Sequence, residues 1–301
     1  MSYHHTPVML PEVIEYLNPK TGEIIIDCTL GGAGYTLAIA QRVGEKGKVI
    51  AIDADEMAIE NAKGKIENEK LSNIILVNEN FKNLSAIINQ IGLEKVDGVV
   101  FDLGLSSAQL EDATRGFSFN SAATLNMEFG SRNQESGIRN TEEIVNKFKP
   151  EELEKIIREY GEERFAKKIV GAIIKARRLK PIANSRELAA VISQAVPAKY
   201  RYGRIHPATR TFQALRIATN DELTNLKIAL PQAADALAAA GRIVIISYHS
   251  LEDRIVKWFL RERQNQGAVK ILTKKVVTAT KAEMKNNPRA RSAKLRAAVK
   301  K

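Results

Sequence analysis

The chain has 301 residues, 44% of them apolar, and a formal net charge of +11 from 46 basic and 35 acidic side chains. That is enough apolar material for one large core or for one core with an inserted subdomain, and the second arrangement is expected here. A single cysteine excludes an intramolecular disulfide framework, no apolar run approaches the ~18 residues of a membrane span, and the N-terminus is no signal peptide, so a cytoplasmic protein is expected.

After Pro7, the spacing of Leu10, Val13, Ile14 and Leu17 predicts a first helix that stops before Asn18-Pro19 and packs over the open side of a cofactor crevice. Residues 22–40 then read as strand, glycine turn and helix start. Ile24, Ile25 and Ile26 form the uninterrupted β-branched run of a central parallel strand. Gly31, Gly32 and Gly34 permit positive φ and close approach of a ligand, and a helix from about Tyr35 would aim its unpaired N–H groups at the same place. A plain β-turn-α corner is the alternative reading. Asp27 at the strand end would repel a pyrophosphate but suits a cationic amino-acid group. A second strand, Lys48-Val-Ile-Ala-Ile-Asp53, ends nineteen residues after Gly34, where an acid can accept both hydroxyls of a ribose. The two acids together fit S-adenosylmethionine (SAM) and disfavour a nicotinamide dinucleotide. Cys28 reads as a small apolar filler.

Asp55 is placed to cap a helix from Glu56 to about Ile66, and a third strand is predicted at 73–77. Behind it Phe81 is either a contact for a base or a core residue of the next helix. A fourth strand at 95–102 ends on Asp102, with 103–109 behind it. Next to the first strand it would open the other half of the crevice, so that Asp102 faces both cofactor and substrate. From about 110 to 240 the strand pattern disappears. Helical spacing is clear at 151–160, continues through Phe165, Ile169 and Ile173, resumes after a cap at Asn184 or Ser185, and returns at Phe212, Leu215, Leu223, Leu226 and Leu230. Residues 121–140, rich in Ser, Asn and Gly, predict a mobile loop or junction. The expected division is a cofactor domain at 1–109 and 203–301 around an inserted helical subdomain at 110–202. A fifth strand at 241–247 leads into Tyr248-His249, where Ser250 and Asp253 resemble a capping box and His249 projects towards the edge that carries Asp102. Residues 269–273 and 293–299 are expected to close an antiparallel hairpin. The fold class is α/β, a doubly wound mixed sheet.

The positive charge is concentrated. Residues 199–216 carry Lys199, Arg201, Arg204, Arg210 and Arg216 without an acid, interleaved with Tyr200, Tyr202 and Phe212 as stacking surfaces. The tail, 281–301, has eight basic residues and only Glu283. Each cluster alone reads as well as a solvated face; two of them beside a methyl-donor site point to RNA. Four histidines and one cysteine scattered along the chain give no metal site.

Taken together, His5-Thr-Pro-Val-Met-Leu, Asp27-Cys-Thr-Leu-Gly, Ala51-Ile-Asp-Ala-Asp, Phe101-Asp-Leu-Gly-Leu-Ser-Ser, Arg115-Gly-Phe-Ser-Phe, Tyr160-Gly-Glu-Glu-Arg-Phe, His206-Pro-Ala-Thr-Arg-Thr-Phe-Gln, Ser247-Tyr-His-Ser-Leu-Glu-Asp-Arg and Asn287-Pro-Arg-Ala-Arg-Ser-Ala-Lys-Leu-Arg resemble the bacterial SAM-dependent 16S rRNA (cytosine-N4) methyltransferases, in that family's order. The resemblance implies a Rossmann-like SAM-methyltransferase domain whose helical insertion engages rRNA. It also implies methylation of a cytidine N4 amine in the decoding region, on 16S rRNA or the small ribosomal subunit. It places cofactor contacts at Ala33, Gly34, Tyr35, Asp53, Phe81, Asp102 and Gln109. Two departures stand out: Ala33-Gly34-Tyr35 where the family usually has Gly-Gly-His, and Asn126 and Glu128 where it has Asp and Arg. An amine that shares its lone pair with a ring must be aligned and relieved of a proton. Asp102 is the first candidate acceptor and His249 the second, with backbone carbonyls near Leu103 to Ser106 taking the role if Asp102 binds the cofactor, and anchoring of the strand-to-helix turn as the other reading of His249. A binding protein that keeps the fold without turnover, an RNA-binding assembly factor, is the rival from another class, with Asn126 and Glu128 as its support.

Overall fold

The computed structural model describes residues 7–106, 109, 112, 114–119, 121–130 and 140–301. It divides into two compact units, Met1–Ser107 with Leu223–Lys301, and Ala108–Glu222. Among the described residues no helix is long and apolar enough to cross a membrane.

The first unit is built on a seven-stranded sheet. Its strands are β1 (Ile24–Asp27), β2 (Lys48–Asp53), β3 (Ile74–Asn78), β4 (Val96–Asp102), β5 (Leu237–Ser247), β6 (Val269–Ile271) and β7 (Lys294–Lys300), in the order β3-β2-β1-β4-β5-β7-β6. Pairings from β3 to β5 are parallel; β7 runs antiparallel between β5 and β6. The hairpin expected at the C-terminus is therefore present, with its second strand inserted against β5. Successive strand residues point to opposite faces, which gives the sheet two cores. On one side Ile26, Ile50, Phe101 and Ile245 pack with Leu84, Leu226, Leu230 and Leu260. On the other Ile25, Val49, Val100 and Val244 pack with Val13, Leu17, Ile39 and Leu295.

Helix α1 (Leu10–Leu17) lies against β4, β5 and β7 rather than over the crevice; the turn ahead of it, Pro7 and Val8, is the part that reaches the glycine loop. Helices α2 (Gly34–Val43), α3 (Glu56–Asn68) and α4 (Leu84–Ile91) follow β1, β2 and β3. Asp55 caps α3, accepting from the Met57 N–H at 3.2 Å.

The second unit is helical: α5 (Thr141–Lys147), α6 (Pro150–Gly161), α7 (Ala166–Leu179), α8 (Ser185–Ala195), the single turn α9 (Ala198–Arg201) and α10 (Thr209–Asn220). Asn184 caps α8 through the Glu187 N–H. The chain returns to the sheet at Leu223, about one helix later than the expected 203. The reason is packing: α10 spends its apolar face, Phe212, Ala214 and Leu215, in this unit, where Gly161 of α6 abuts the Arg210 backbone and Gln213 donates to the Tyr160 carbonyl at 3.0 Å. Periodicity shows that α10 has a buried face but not which unit buries it.

Residues 121–130, expected as a mobile loop or junction, are tied to α10 and to Phe117. Asn220 donates to the Met127 carbonyl and accepts from the Phe129 N–H, both at 2.7 Å, Leu125 and Met127 are buried, and Phe117 stacks on Phe129. Polar composition suggested mobility because it does not reveal a clamp supplied by a distant asparagine. The rest of that segment, 131–139, lies outside the described residues, as do His5 and Thr6. In the first unit α11 (Glu222–Ala236) leads into β5, α12 (Ser250–Asn265) leaves it, and α13 (Lys281–Asn286) precedes β7.

Candidate active site

Strand register places the acids. Asp27 pairs in register with Ala51 of β2 and with Val100 of β4, so Asp53 and Asp102, two residues further on, stand level with each other at the carboxyl edge on either side of β1. Two strand spacings put their backbones roughly 10 Å apart. This is the topological switch point of the sheet, since α2 follows β1 in one direction and β4 opens the other.

The loop between β1 and α2 lies in this gap. Gly31 takes positive φ (46°) and its N–H donates to Asp53 Oδ2 at 2.8 Å. Ala33, not Gly32 or Gly34, is the other left-handed residue (φ 65°), a conformation that costs a residue with a Cβ about 1 kcal/mol. Gly34 is helical and serves a different purpose: a Cβ there would meet Pro7 Cγ at 2.1 Å, so the missing side chain admits the N-terminal turn. Lys65 of α3 holds the loop from outside through the Gly32 carbonyl, at 2.8 Å.

The three carboxylates have different surroundings. Asp27 is fully buried and spends its oxygens on the Thr29 N–H (3.1 Å) and the Thr36 hydroxyl (2.6 Å); burial pushes its carboxyl above the ordinary range. It organises the loop and presents no surface to a ligand's ammonium group, which the strand-end position alone had suggested. Asp53 is partly exposed, its side chain accepts among the described residues only the backbone N–H groups of Gly31 and Asp55 (2.8 and 2.9 Å), and it is pushed by desolvation to a pKa of about 6. A carboxylate has about four acceptor positions, so two remain for ribose hydroxyls. Asp102 is held through its N–H by Thr29 Oγ1 and through Oδ1 by the Tyr248 hydroxyl, both at 2.7 Å. Desolvation, reinforced by the nearby Asp27 and Glu252 and opposed by the Tyr248 hydrogen bond, raises its pKa to about 7. Its Oδ2 accepts from no described residue.

Tyr248 is the residue that sequence reasoning missed. It follows β5 directly, and its ring lies against Gly104, where a Cβ would be 3.1 Å away. The available signal was its position at the end of the strand beside Asp102. Tyr35, the departure from the family's histidine, is buried with its hydroxyl donating to the Val8 carbonyl; burial, with Asp102 and Tyr248 close by, pushes that hydroxyl up. Phe81 meets Phe101 edge-on (centroids 5.7 Å apart) and is half-buried in the turn after β3. Gln109 is buried and belongs to the second unit.

His249 is the N-cap of α12. Its Nδ1 accepts from the Glu252 N–H at 3.3 Å, while Glu252 returns to the Tyr248 and His249 N–H groups. The capping box is thus His249 with Glu252, not Ser250 with Asp253. Asp253 instead pairs with Arg296 and Lys294 of β7, at 2.7 and 3.5 Å. His249 Nε2 lies 3.2 Å from Glu252 Oε1, at an angle that makes no hydrogen bond.

Internal partners thin both basic clusters. Arg216 is locked to Glu222 by two 2.8 Å contacts, Arg210 donates to the Glu162 carbonyl, Arg201 turns to the carbonyls of Gln194 and Val196, and Phe212 is buried. Lys199, Arg204 and Tyr202 remain exposed, beside His206 stacked on Phe119 at 4.3 Å. In the tail, Lys294 and Arg296 hold Asp253, and Lys300 donates to the carbonyls of Ala234, Asp235 and Leu237. The tail also makes two contacts to distant segments: Glu283 accepts the Met9 N–H at 2.6 Å and Arg289 reaches the Ser106 carbonyl at 3.5 Å.

A sheet whose parallel strands present two carboxylates and a glycine loop at their switch point belongs to an enzyme that uses a nucleotide-type cofactor. Residues 2–301 match the model of the MraW methylase family, and the chain belongs to that family. It is 43% identical to the ribosomal RNA small subunit methyltransferase H of Heliobacterium modesticaldum, covering 100% of this chain and 99% of that protein. It is 45% identical to the protein of the same name from Halothermothrix orenii, over 98% of this chain and 97% of the relative.

Proposed function

We propose that this protein transfers a methyl group from SAM to the N4 amine of a cytidine in 16S rRNA, free or within the small ribosomal subunit, in the cytoplasm. The observation that carries the cofactor half is Asp53, a partly exposed carboxylate at the carboxyl edge that holds the Gly31 loop and retains acceptor capacity beyond the Gly31 and Asp55 N–H groups. In this reading Asp53 takes the ribose hydroxyls, the half-buried Phe81 flanks the base, and Ala33, Gly34, Tyr35 and Gln109 complete the contacts named from the family pattern. Bound there, SAM supplies a methyl group activated by its sulfonium.

The protein's part in the chemistry falls to Asp102. Tyr248 fixes one oxygen and leaves the other open, and a pKa of about 7 suits a group that must accept a proton near neutral pH. The ring of His249 is engaged at the cap of α12, which favours a positioning role for it: it sets the turn that carries Tyr248. Exposed Lys199, Arg204 and Tyr202 of the second unit are left to contact RNA.

The test is direct. Incubated with labelled SAM and small subunits lacking the modification, the protein should transfer one methyl group per subunit. Digestion and mass spectrometry should find that group on N4. Methyl on C5 would overturn the mechanism, because addition to the ring needs a nucleophile and Cys28, the only thiol, is buried with burial pushing its pKa up. Binding of SAM and RNA without transfer would favour the assembly factor.

A further inference from the structure

Helix α12 begins at the carboxyl edge of the sheet, but its outer face carries a feature the methyl-transfer reading does not use. Trp258, the only tryptophan in the chain, is 59% exposed. It stands eight residues into the helix, ~12 Å along the axis from the capped end. Lys257 Nζ and Arg261 Cζ lie 5.7 and 5.4 Å from its ring centroid. Between 254 and 265 the helix carries Arg254, Lys257, Arg261 and Arg263, and one acid, Glu262. Beside the ring is a shallow concavity of about 650 Å³, lined by Trp258, Arg261, Glu262, Gln264, Asn265 and Gln266.

An exposed indole alone would suit many partners. The flanking charge narrows the choice. Cations at the loose end of cation–π range leave much of the ring open while holding positive charge beside it, the combination that binds a stacked base with its phosphates. The concavity has room for a nucleoside, and the Asn265 and Gln266 amides offer a donor and an acceptor each to a base edge. The negative end of the helix dipole disfavours a phosphate at the C-terminus, so the base belongs at the Asn265 end and the phosphates at Lys257 and Arg261. We propose that this face of α12 docks an unpaired nucleotide of the RNA substrate, outside the cofactor crevice, with the base on Trp258 and its phosphates on Lys257 and Arg261. Only the identity of the RNA rests on the methylation reading.

Because Trp258 is unique, its fluorescence reports this face alone. Titrating the full-length protein with a short unstructured oligoribonucleotide should quench it saturably, and more weakly as salt rises. Trp258→Ala should weaken binding of labelled oligoribonucleotide roughly tenfold, with Trp258→Phe restoring most of it, and should raise the KM for RNA more than it lowers kcat. Exchanging Lys257 and Arg261 for Ala should reduce the log–log salt slope by about 0.7 for each phosphate no longer neutralised. Absence of quenching, or unchanged affinity and salt slope in these variants, would overturn the proposal. So would quenching by small-subunit proteins but not by RNA, which would make the face a protein-docking site. Quenching by RNA in a protein that methylates no subunit would leave this docking site standing and refute the proposed reaction instead.

Discussion

The carboxyl edge of the sheet and the basic stretch at 199–216 both read as charge gathered for a ligand, and they fare differently once folded. At the edge, Asp53 and Asp102 keep open acceptor positions, because their immediate partners are backbone N–H groups and one tyrosine hydroxyl. In the basic stretch, Arg216, Arg210 and Arg201 are spent on Glu222 and on backbone carbonyls, and Lys199 and Arg204 are left exposed. An aspartate has a short side chain on a strand whose register is set by its neighbours, so its position follows from the backbone. An arginine reaches far and selects whatever acceptor the tertiary fold brings near.

The largest effect expected from this contrast is at Asp53. Asp53→Ala removes two charge-assisted hydrogen bonds worth ~1.5–3 kcal/mol each and should weaken SAM binding at least about a hundredfold by calorimetry. Asp53→Asn, which keeps one acceptor, should fall between. Unchanged affinity would remove the ribose assignment. Next, Arg216→Ala should destabilise the protein by about 2–3 kcal/mol in urea unfolding, since it removes two 2.8 Å charge-assisted contacts to Glu222 at a largely buried position. Its RNA salt slope should match that of the parent, and a flattened slope would show that Arg216 serves RNA after all.

The acids also set a pH dependence. Asp53 and Asp102 have folded-state pKa values raised to about 6 and about 7, so without ligand the folded protein holds protons that the unfolded chain releases. Their stabilising contribution is present below a pH of about 4 and is lost as pH rises through about 6 to 7. The thermal midpoint should fall across that window, and Asp102→Asn should flatten the fall. Affinity for SAM should move the opposite way, weakening as pH drops below about 6 to 7, because ionised carboxylates are the better acceptors.

A smaller effect is expected at Tyr248. Tyr248→Phe deletes the hydroxyl that lowers the Asp102 pKa, so the acid limb of the pH–rate profile should move upward, at a cost of about 1 kcal/mol in kcat/KM with SAM affinity preserved. A profile that does not move would make Tyr248 a packing residue. Smallest of all, Lys199→Ala with Arg204→Ala should change stability by less than about 0.5 kcal/mol and reduce the RNA salt slope by about 0.7–0.9 per phosphate released.

Features that depend on neighbours in the chain could be read without a fold. The run Ile24-Ile25-Ile26 before Asp27, the caps Asp55 and Asn184, the strand ends at Asp53 and Asp102 and the family motifs are local patterns, and the strands and helices appear close to where those patterns place them. Tertiary structure decided everything that depends on pairing across distance. It turned Asp27 inward onto Thr36, made His249 and Glu252 the cap of α12, brought Tyr248 to Asp102 across 146 positions, and gave α10 to the helical unit. It also turned about a third of the basic tail into a strand bound to β5. Local propensity and hydrophobic period fix the backbone one segment at a time, whereas the partner of a long or buried polar side chain is chosen only when segments far apart in sequence come within hydrogen-bonding distance.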